Sequence, residues 1–514
     1  MKKTILFTAS FCFVLMFTIV QLYKVFTLDF FHLVQIIPDD TFYYFEIARN
    51  FLINGVPSFD GKDTTTSGYH MLWFLIISGS LKTFSFNRIE TIQFFSLVSI
   101  SLSTLFVYGA FFKFRKQQNI LFICLLSAFF TSFSFLNNMI SSMEWVLLIP
   151  LHIILYFMFL NEDHKYFKIK CCFFFILGVL GSLSRTDFGA IAFIFISFSM
   201  LYYFCEKKRN KFLESLSLLL GAIIGLLICF SWHYYHTDSI IQVSAKIKSM
   251  WGLKAGISPV PIIQQIVRVF VYLPRTNLPE VKLLLIQNSK VIFSLLLIFM
   301  TSFLFIFKTQ ITKIRLKFSS EKDLLFYISI AIVLFYTCFY SINSTSIQIW
   351  YTAHLTVPCF YISYYLLSKI KNEINLSYAL LMISLINSTL YFMSPPIYQG
   401  QKGSAHFAEA LKLIKGKIGI SDAGLVGFHK HNIINLDGLV NNELYPYAPY
   451  RLHCYLLDSK IEYFTGFGAD FNNLFSYDNS KFSTKHYWKD SKGKTFSILK
   501  VDFETLKKDP KCNK

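Results

Sequence analysis

The chain has 514 residues, 54% of them hydrophobic and only 15% charged, with 59 phenylalanines and a formal net charge of +19. A soluble protein would carry roughly a quarter charged residues, so repeated apolar runs of about 18 or more residues read as bilayer spans, not buried core helices. The basic excess lies largely in short loops between those runs, which is the positive-inside pattern and argues against nucleic acid as a partner.

Taken in chain order, Lys2 and Lys3 precede an apolar run from Ile5 to Val20 that continues toward Phe26. No small-residue cleavage site follows, so the run reads as a retained first span with a cytoplasmic N-terminus. Further spans are expected near 91–112, 118–137, 145–161, 171–186, 188–205, 215–235, 290–308, 324–343, 350–368 and 375–393. With the first span, 5–27, they make about eleven. An N-in start then places one set of loops in the cytoplasm. These hold Lys113, Arg115 and Lys116; Lys165, Lys168 and Lys170; and Lys207, Lys208, Arg209 and Lys211. Lys308, Lys313, Arg315 and Lys317 follow, then Lys369 and Lys371, and every such loop is basic. The segment Tyr69–Phe86 is apolar but carries His70, Lys82 and three serines. Counting it as a span would invert the charge bias, so it is expected to be an amphipathic helix at the outer interface.

The outer side then receives a long loop (28–90), a short one around Asn137–Glu144, and a turn at Arg185–Asp187. It also receives a loop from Thr237 to Asn288, a short one at Asn343–Gln348, and the tail from Ser394. The tail is polar, with strand-like runs at Ile418–Ser421, Ile433–Leu436 and Phe496–Val501. The expected fold is an α-helical polytopic membrane protein: a membrane domain over 1–393, and a small α/β domain over 394–514. Eight cysteines lie in or beside apolar segments, where they act as small hydrophobes. Cys454 and Cys512 fall in the tail. A disulfide fits an oxidising compartment, and two unrelated thiols remain the alternative.

The candidate chemistry gathers on the outer side. In Pro38-Asp39-Asp40-Thr41 and onward, Asp39, Tyr43, Glu46 and Asn50 share one helix face. Asp39 opens that helix, where a carboxylate is favoured by capping and dipole. Paired carboxylates there also suit a general base or a divalent cation. Asp63 and Thr64–Ser67 lead to Gly68-Tyr69-His70, and this polar run can serve simply to cap the helix that follows. Glu144 and Asp187 sit at outer span ends, and Arg185 can pair with Asp187. Lys246 and Lys248 offer cations suited to a phosphate or an anionic headgroup.

In their order these motifs resemble bacterial membrane glycosyltransferases of the GT-C superfamily. The resemblance is carried by DDTFYYFEIARN, the FDGKDTTTSGYHMLW stretch, SSMEWVL, LSRTDFGA, SAKIK, WYTAHLTVP and ISDAGLVGFHKHNIINLDGLVNN. One branch tends to carry Asn-Gly-Tyr-His where this chain has Ser67-Gly68-Tyr69-His70. The resemblance implies a GT-C-like fold in the bacterial inner (cytoplasmic) membrane. It implies inverting transfer of a sugar from a polyprenyl-phosphate donor to an envelope glycan, lipid or protein acceptor on the outer face. Asp39, with Asp40 beside it, would be the base or electrostatic anchor, and Glu144 would complete the site. These three would also hold Mg²⁺ or Mn²⁺ in branches that use a metal. Arg49, Tyr69, His70, Arg185, Asp187, Lys246 and Lys248 would serve the lipid phosphate and substrate. The rival readings are a flippase of lipid-linked sugars, which would keep its ionisable residues near the midplane, and a non-catalytic glycan-binding scaffold.

Overall fold

The computed structural model describes residues 2–61, 64–116, 119–161, 166–207, 209–255, 258, 260–272, 320–343, 348–370, 372–412, 414–430, 433–448, 450–465, 483–489 and 495–512. Among them, seven helices are long and apolar enough to cross a membrane: Lys2–Thr27, Arg88–Arg115, Phe167–Ser184, Phe188–Glu206, Arg209–Thr237, Glu321–Ile342 and Glu373–Met393. The chain is a multi-pass membrane protein. The expected span at 290–308, with Lys308, Lys313, Arg315 and Lys317, lies outside the described residues, as do Asp63 and Lys165.

Three expected spans take a modified form. The one at 118–137 is two helices, Ile120–Phe130 and Phe133–Ile140, bent by 62°. The break has a local cause. Thr131 Oγ1 turns back to the Ser127 carbonyl at 3.1 Å, and Ser132 caps the second helix by accepting from Phe135 N. The spans at 145–161 and 350–368 are 15-residue helices, Trp145–Phe159 and Ala353–Leu367, each with an internal proline (Pro150, Pro358). At 1.5 Å per residue each covers about 22 Å, less than a bilayer core of about 30 Å.

Contacts divide the chain into two compact units, Met1–Phe26 with Ser96–Cys229 and Gly252–Pro396, and Thr27–Phe95 with Phe230–Trp251 and Ile397–Lys514. In the first unit the loops expected in the cytoplasm gather at one end. There Arg115 lies over the Phe7 ring, Asn119 Nδ2 donates to Tyr364 Oη at 2.6 Å, and Lys211 pairs with Glu321 at 3.2 Å. Two helices of this unit approach backbone to backbone. A Cβ on Gly221 would lie 2.0 Å from the Phe175 carbonyl oxygen, and one on Gly178 2.2 Å from that of Leu218. With Gly225 four residues after Gly221, this is the small-residue packing that drives helix association in lipid.

The second unit carries a five-stranded sheet in the order β2-β1-β3-β5-β4, with β1 Ile418–Ile420, β2 Ile433–Asn435, β3 Tyr463–Thr465, β4 Ser483–Lys489 and β5 Thr495–Val501. β1 runs parallel to β2 and β3; β5 runs antiparallel to β3 and β4. Ile434, Leu436, Leu456, Ile461, Phe464 and Val501 fill its core. Cys454 and Cys512 are joined in a disulfide with Cα atoms 5.0 Å apart. The bridge ties the end of the described tail to the core, a constraint worth about 2–4 kcal/mol.

The glycine contact makes a prediction. Gly221→Leu should lower the melting temperature of the detergent-solubilised protein, with a cost of about 1–3 kcal/mol or more from overpacking. Gly79→Ala is the control, because a Cβ there meets nothing within 4 Å. Equal melting of the two variants would contradict the close approach.

Candidate functional site

The predicted site residues fall into two groups, one in each unit. In the first unit the chain turns at Ser142, a non-glycine residue with φ of 54°, just before Glu144 at the start of the Trp145–Phe159 helix. Such a backbone cost is commonly retained where a side chain must be aimed. Glu144 is 1% exposed. Its Oε1 accepts from Arg185 Nη1 at 2.8 Å. Arg185 holds Asp187 with a fork, Nε to Oδ1 at 3.0 Å and Nη2 to Oδ2 at 2.9 Å. One guanidinium therefore bridges two carboxylates, with its face 5.0 Å from the Tyr351 ring. The ion pair between Arg185 and Asp187 is the one their spacing allows.

Four further side chains close this cluster. Tyr340 Oη donates to Asp187 Oδ2 at 3.0 Å, and Tyr336 Oη to the Asp187 carbonyl at 2.7 Å. His354 Nε2 meets Asp187 Oδ1 at 2.9 Å, and its Nδ1 lies 3.4 Å from His152 Nε2. Burial works to raise the Asp187 carboxyl, and the charges of Arg185 and His354 override it and hold the group well below the usual carboxylate range. Sequence reasoning missed Tyr336, Tyr340, His152 and His354. The signal for His354 was present: an ionisable residue inside an apolar run, within WYTAHLTVP.

In the second unit Asp39 begins the Asp39–Asn54 helix. Its Oδ2 accepts from Gly424 N and its Oδ1 from Leu425 N, both at 2.9 Å, with Gln401 Nε2 at 3.2 Å. Gly424 must be a glycine here, since a Cβ would lie 2.3 Å from the Asp39 carbonyl oxygen. Burial pushes the Asp39 carboxyl up to about 7, against these hydrogen bonds. Asp40 adjoins it and adds to the upward shift. The rest of the predicted face is also engaged. Tyr43 Oη donates to Asp437 Oδ2 at 3.0 Å and accepts from Ala423 N at 3.0 Å. Asn50 Nδ2 donates to the Ser58 and Phe59 carbonyls. Glu46, 1% exposed, pairs with Arg49 at 3.2 Å, and Arg49 lies over the Phe428 ring.

The polar run before Gly68 does not cap the helix that follows. That helix, Met71–Thr83, starts after His70 with no side-chain cap. Instead Ser67 Oγ donates to Asn442 Oδ1 at 3.1 Å and accepts from Val243 N at 3.0 Å. Tyr69 is buried, its Oη accepting from Trp232 Nε1 at 2.7 Å and its carbonyl from Gln242 Nε2 at 2.6 Å. His70 N donates to Tyr44 Oη at 3.3 Å. The Tyr69 ring meets His233 edge-on at 5.3 Å. His233 is fully buried, and among the described residues neither of its ring nitrogens has a hydrogen-bond partner. Lys246 Nζ donates to Ser239 Oγ at 2.7 Å and lies over the Tyr445 ring; Lys248 follows on the same Val243–Ala255 helix, half-buried.

Two of the three residues expected to hold Mg²⁺ or Mn²⁺ already have other partners: Asp39 accepts from main-chain N–H groups and Glu144 Oε1 from a guanidinium, so a metal at either would have to compete with those donors. Among the described residues the one His/Cys/acid grouping with metal-like spacing is His453, Cys454 and Cys512, and its two sulfurs are bonded to each other.

This is a GT-C-like fold: a polytopic helical protein with a small C-terminal sheet. Among solved structures it is similar to that of ArnT from Cupriavidus metallidurans bound to undecaprenyl phosphate, with a TM-score of 0.53 over 95% of this chain and 98% of that one, at 10% identity. No family model and no curated protein matches the sequence.

The Arg185 cluster can be tested by its electrostatics. Arg185→Met should cost about 3–5 kcal/mol, because two buried carboxylates lose their counter-charge. Adding Glu144→Gln and Asp187→Asn to the same chain should recover part of that in thermal melts. A melt of Arg185→Met identical to the parent's would contradict the closed cluster.

Proposed function

We propose that this protein is an inverting glycosyltransferase. It moves a sugar from a polyprenyl-phosphate donor to an envelope acceptor at the non-cytoplasmic face of the bacterial inner membrane. The observation that carries the reading is the Asp39 carboxyl, oriented by two main-chain N–H groups and poised by burial near neutrality, where a general base works best. The GT-C-like fold supports it, as does the polyprenyl phosphate in the similar structure. The tail disulfide supports an oxidising, outer location.

In the proposed step the acceptor hydroxyl oxygen attacks the anomeric carbon and its proton passes to Asp39. The bond from that carbon to the phosphate oxygen breaks, and the polyprenyl phosphate leaves with the electron pair. Asp40 is the neighbouring carboxylate. Arg49, Tyr69, His70, Lys246 and Lys248 are proposed to line the path of the lipid phosphate, and His233 joins them as an unmatched buried imidazole. Glu144, Arg185 and Asp187 are proposed to order the acceptor or sugar. Positive charge placed against the departing phosphate anion is the larger catalytic contribution expected of such a site.

Asp39→Asn should lower transfer by more than about a hundredfold. In the parent the rate should rise as pH climbs through about 7, because the protonated acid is no base. The same shift acts oppositely on stability. A carboxyl whose folded value is raised contributes stability that is full below its ordinary value near 3.8 and lost as pH rises through about 7. An anchor without a proton-transfer role would show the stability trend and a flat rate. Mass spectrometry of envelope glycolipids from a deletion strain would identify the missing sugar and the acceptor class.

A further inference from the structure

The first unit holds a cavity of about 800 Å³ at the end where the basic loops gather, within the size range of ligand pockets. Its rim includes Lys113, Asn161 and Lys322, all exposed, and Asn119. Its interior is aromatic, with Phe122, Phe129, Phe130 and Phe360 among the walls. A second groove of about 400 Å³ shares Lys113, Phe157 and Ala110 with it and runs past Leu105. Leu105 is 65% exposed on an apolar span, so this groove opens toward the side where lipid tails lie. The Lys113 amine sits 4.3 Å from the centre of the Phe157 ring. Among the described residues neither Lys113 nor Lys322 pairs with a carboxylate.

We propose that this cavity binds one anionic glycerophospholipid, its phosphate at Lys113 and Lys322 and one acyl chain among the phenylalanines. The charge and shape match that ligand: two cations at a rim, an apolar interior, and a lateral opening through which a chain enters from the bilayer. The occupant is not the carrier of the transfer reaction. Glu144 opens the Trp145–Phe159 helix and Asn161 follows its far end, so the rim and the Arg185 cluster are a helix length apart, about 22 Å. The site stands whether or not the chain transfers sugars.

The test uses the full chain, purified and equilibrated with equimolar phosphatidylglycerol and phosphatidylcholine, and read by native mass spectrometry. One phosphatidylglycerol should be retained in about thirtyfold preference, as expected for two interfacial lysines. Lys113→Glu with Lys322→Glu, both on exposed residues, should abolish the preference. Ala110→Trp, which fills the cavity, should abolish retention of either lipid. Equal retention by the parent, or a preference that survives the double charge reversal, would overturn the proposal. Displacement of phosphatidylglycerol by stoichiometric undecaprenyl phosphate would overturn the assignment of the occupant.

Discussion

Hydrocarbon offers a peptide group no hydrogen-bond partner, so a chain that crosses it must satisfy its backbone within each helix and keep its charges at the ends. The arrangement of this protein follows from that constraint. Hydroxyls within the apolar helices fold back on their own carbonyls: Ser78 on Phe74, Thr104 on Ile100, Ser184 on Leu180 and Ser384 on Leu380. Glu144, Arg185 and Asp187 stand at helix ends, where one guanidinium pairs with both carboxylates. Where two helices must meet closely, glycine removes the side chain between them.

The same constraint explains the segregation of chemistry. Lys170, Lys211, Glu214 and Glu321 make a buried ionic group among the loops that the charge bias assigns to the cytoplasm. The Arg185 cluster forms at the opposite ends of its helices. Buried charges of this kind do little for net stability but penalise any arrangement that separates them, so they fix which helix ends meet. In the second unit the carboxylate of Asp39 does similar work without a cation, ordered by the first amides of the Gly424–His429 helix.

Much of this was legible in the residues. Apolar run length and loop charge locate the helices, and the short β-branched runs at Ile418–Ile420 and Ile433–Asn435 are strands. The alternating four- and three-residue spacing of Asp39, Tyr43, Glu46 and Asn50 puts them on one engaged face. What was not legible is long-range pairing. Nothing local says that Ser67 will find Asn442, that Tyr69 will find Trp232, or that Gly424 will lie against Asp39. The break at Thr131-Ser132 was hidden because two polar residues in an apolar run read as a tolerated interruption, until their side chains are seen competing for the backbone. The Cys454–Cys512 bridge needed coordinates, because two cysteines in a polar tail fix no distance.

The proposed sugar transfer is tested directly with the purified protein in proteoliposomes, a radiolabelled polyprenyl-phosphate sugar as donor and an envelope glycolipid extract as acceptor. Transfer predicts label in the acceptor fraction with stoichiometric release of unlabelled polyprenyl phosphate, and loss of both in Asp39→Asn. Intact donor that has merely crossed the bilayer, or donor unchanged on its original side, would contradict the account.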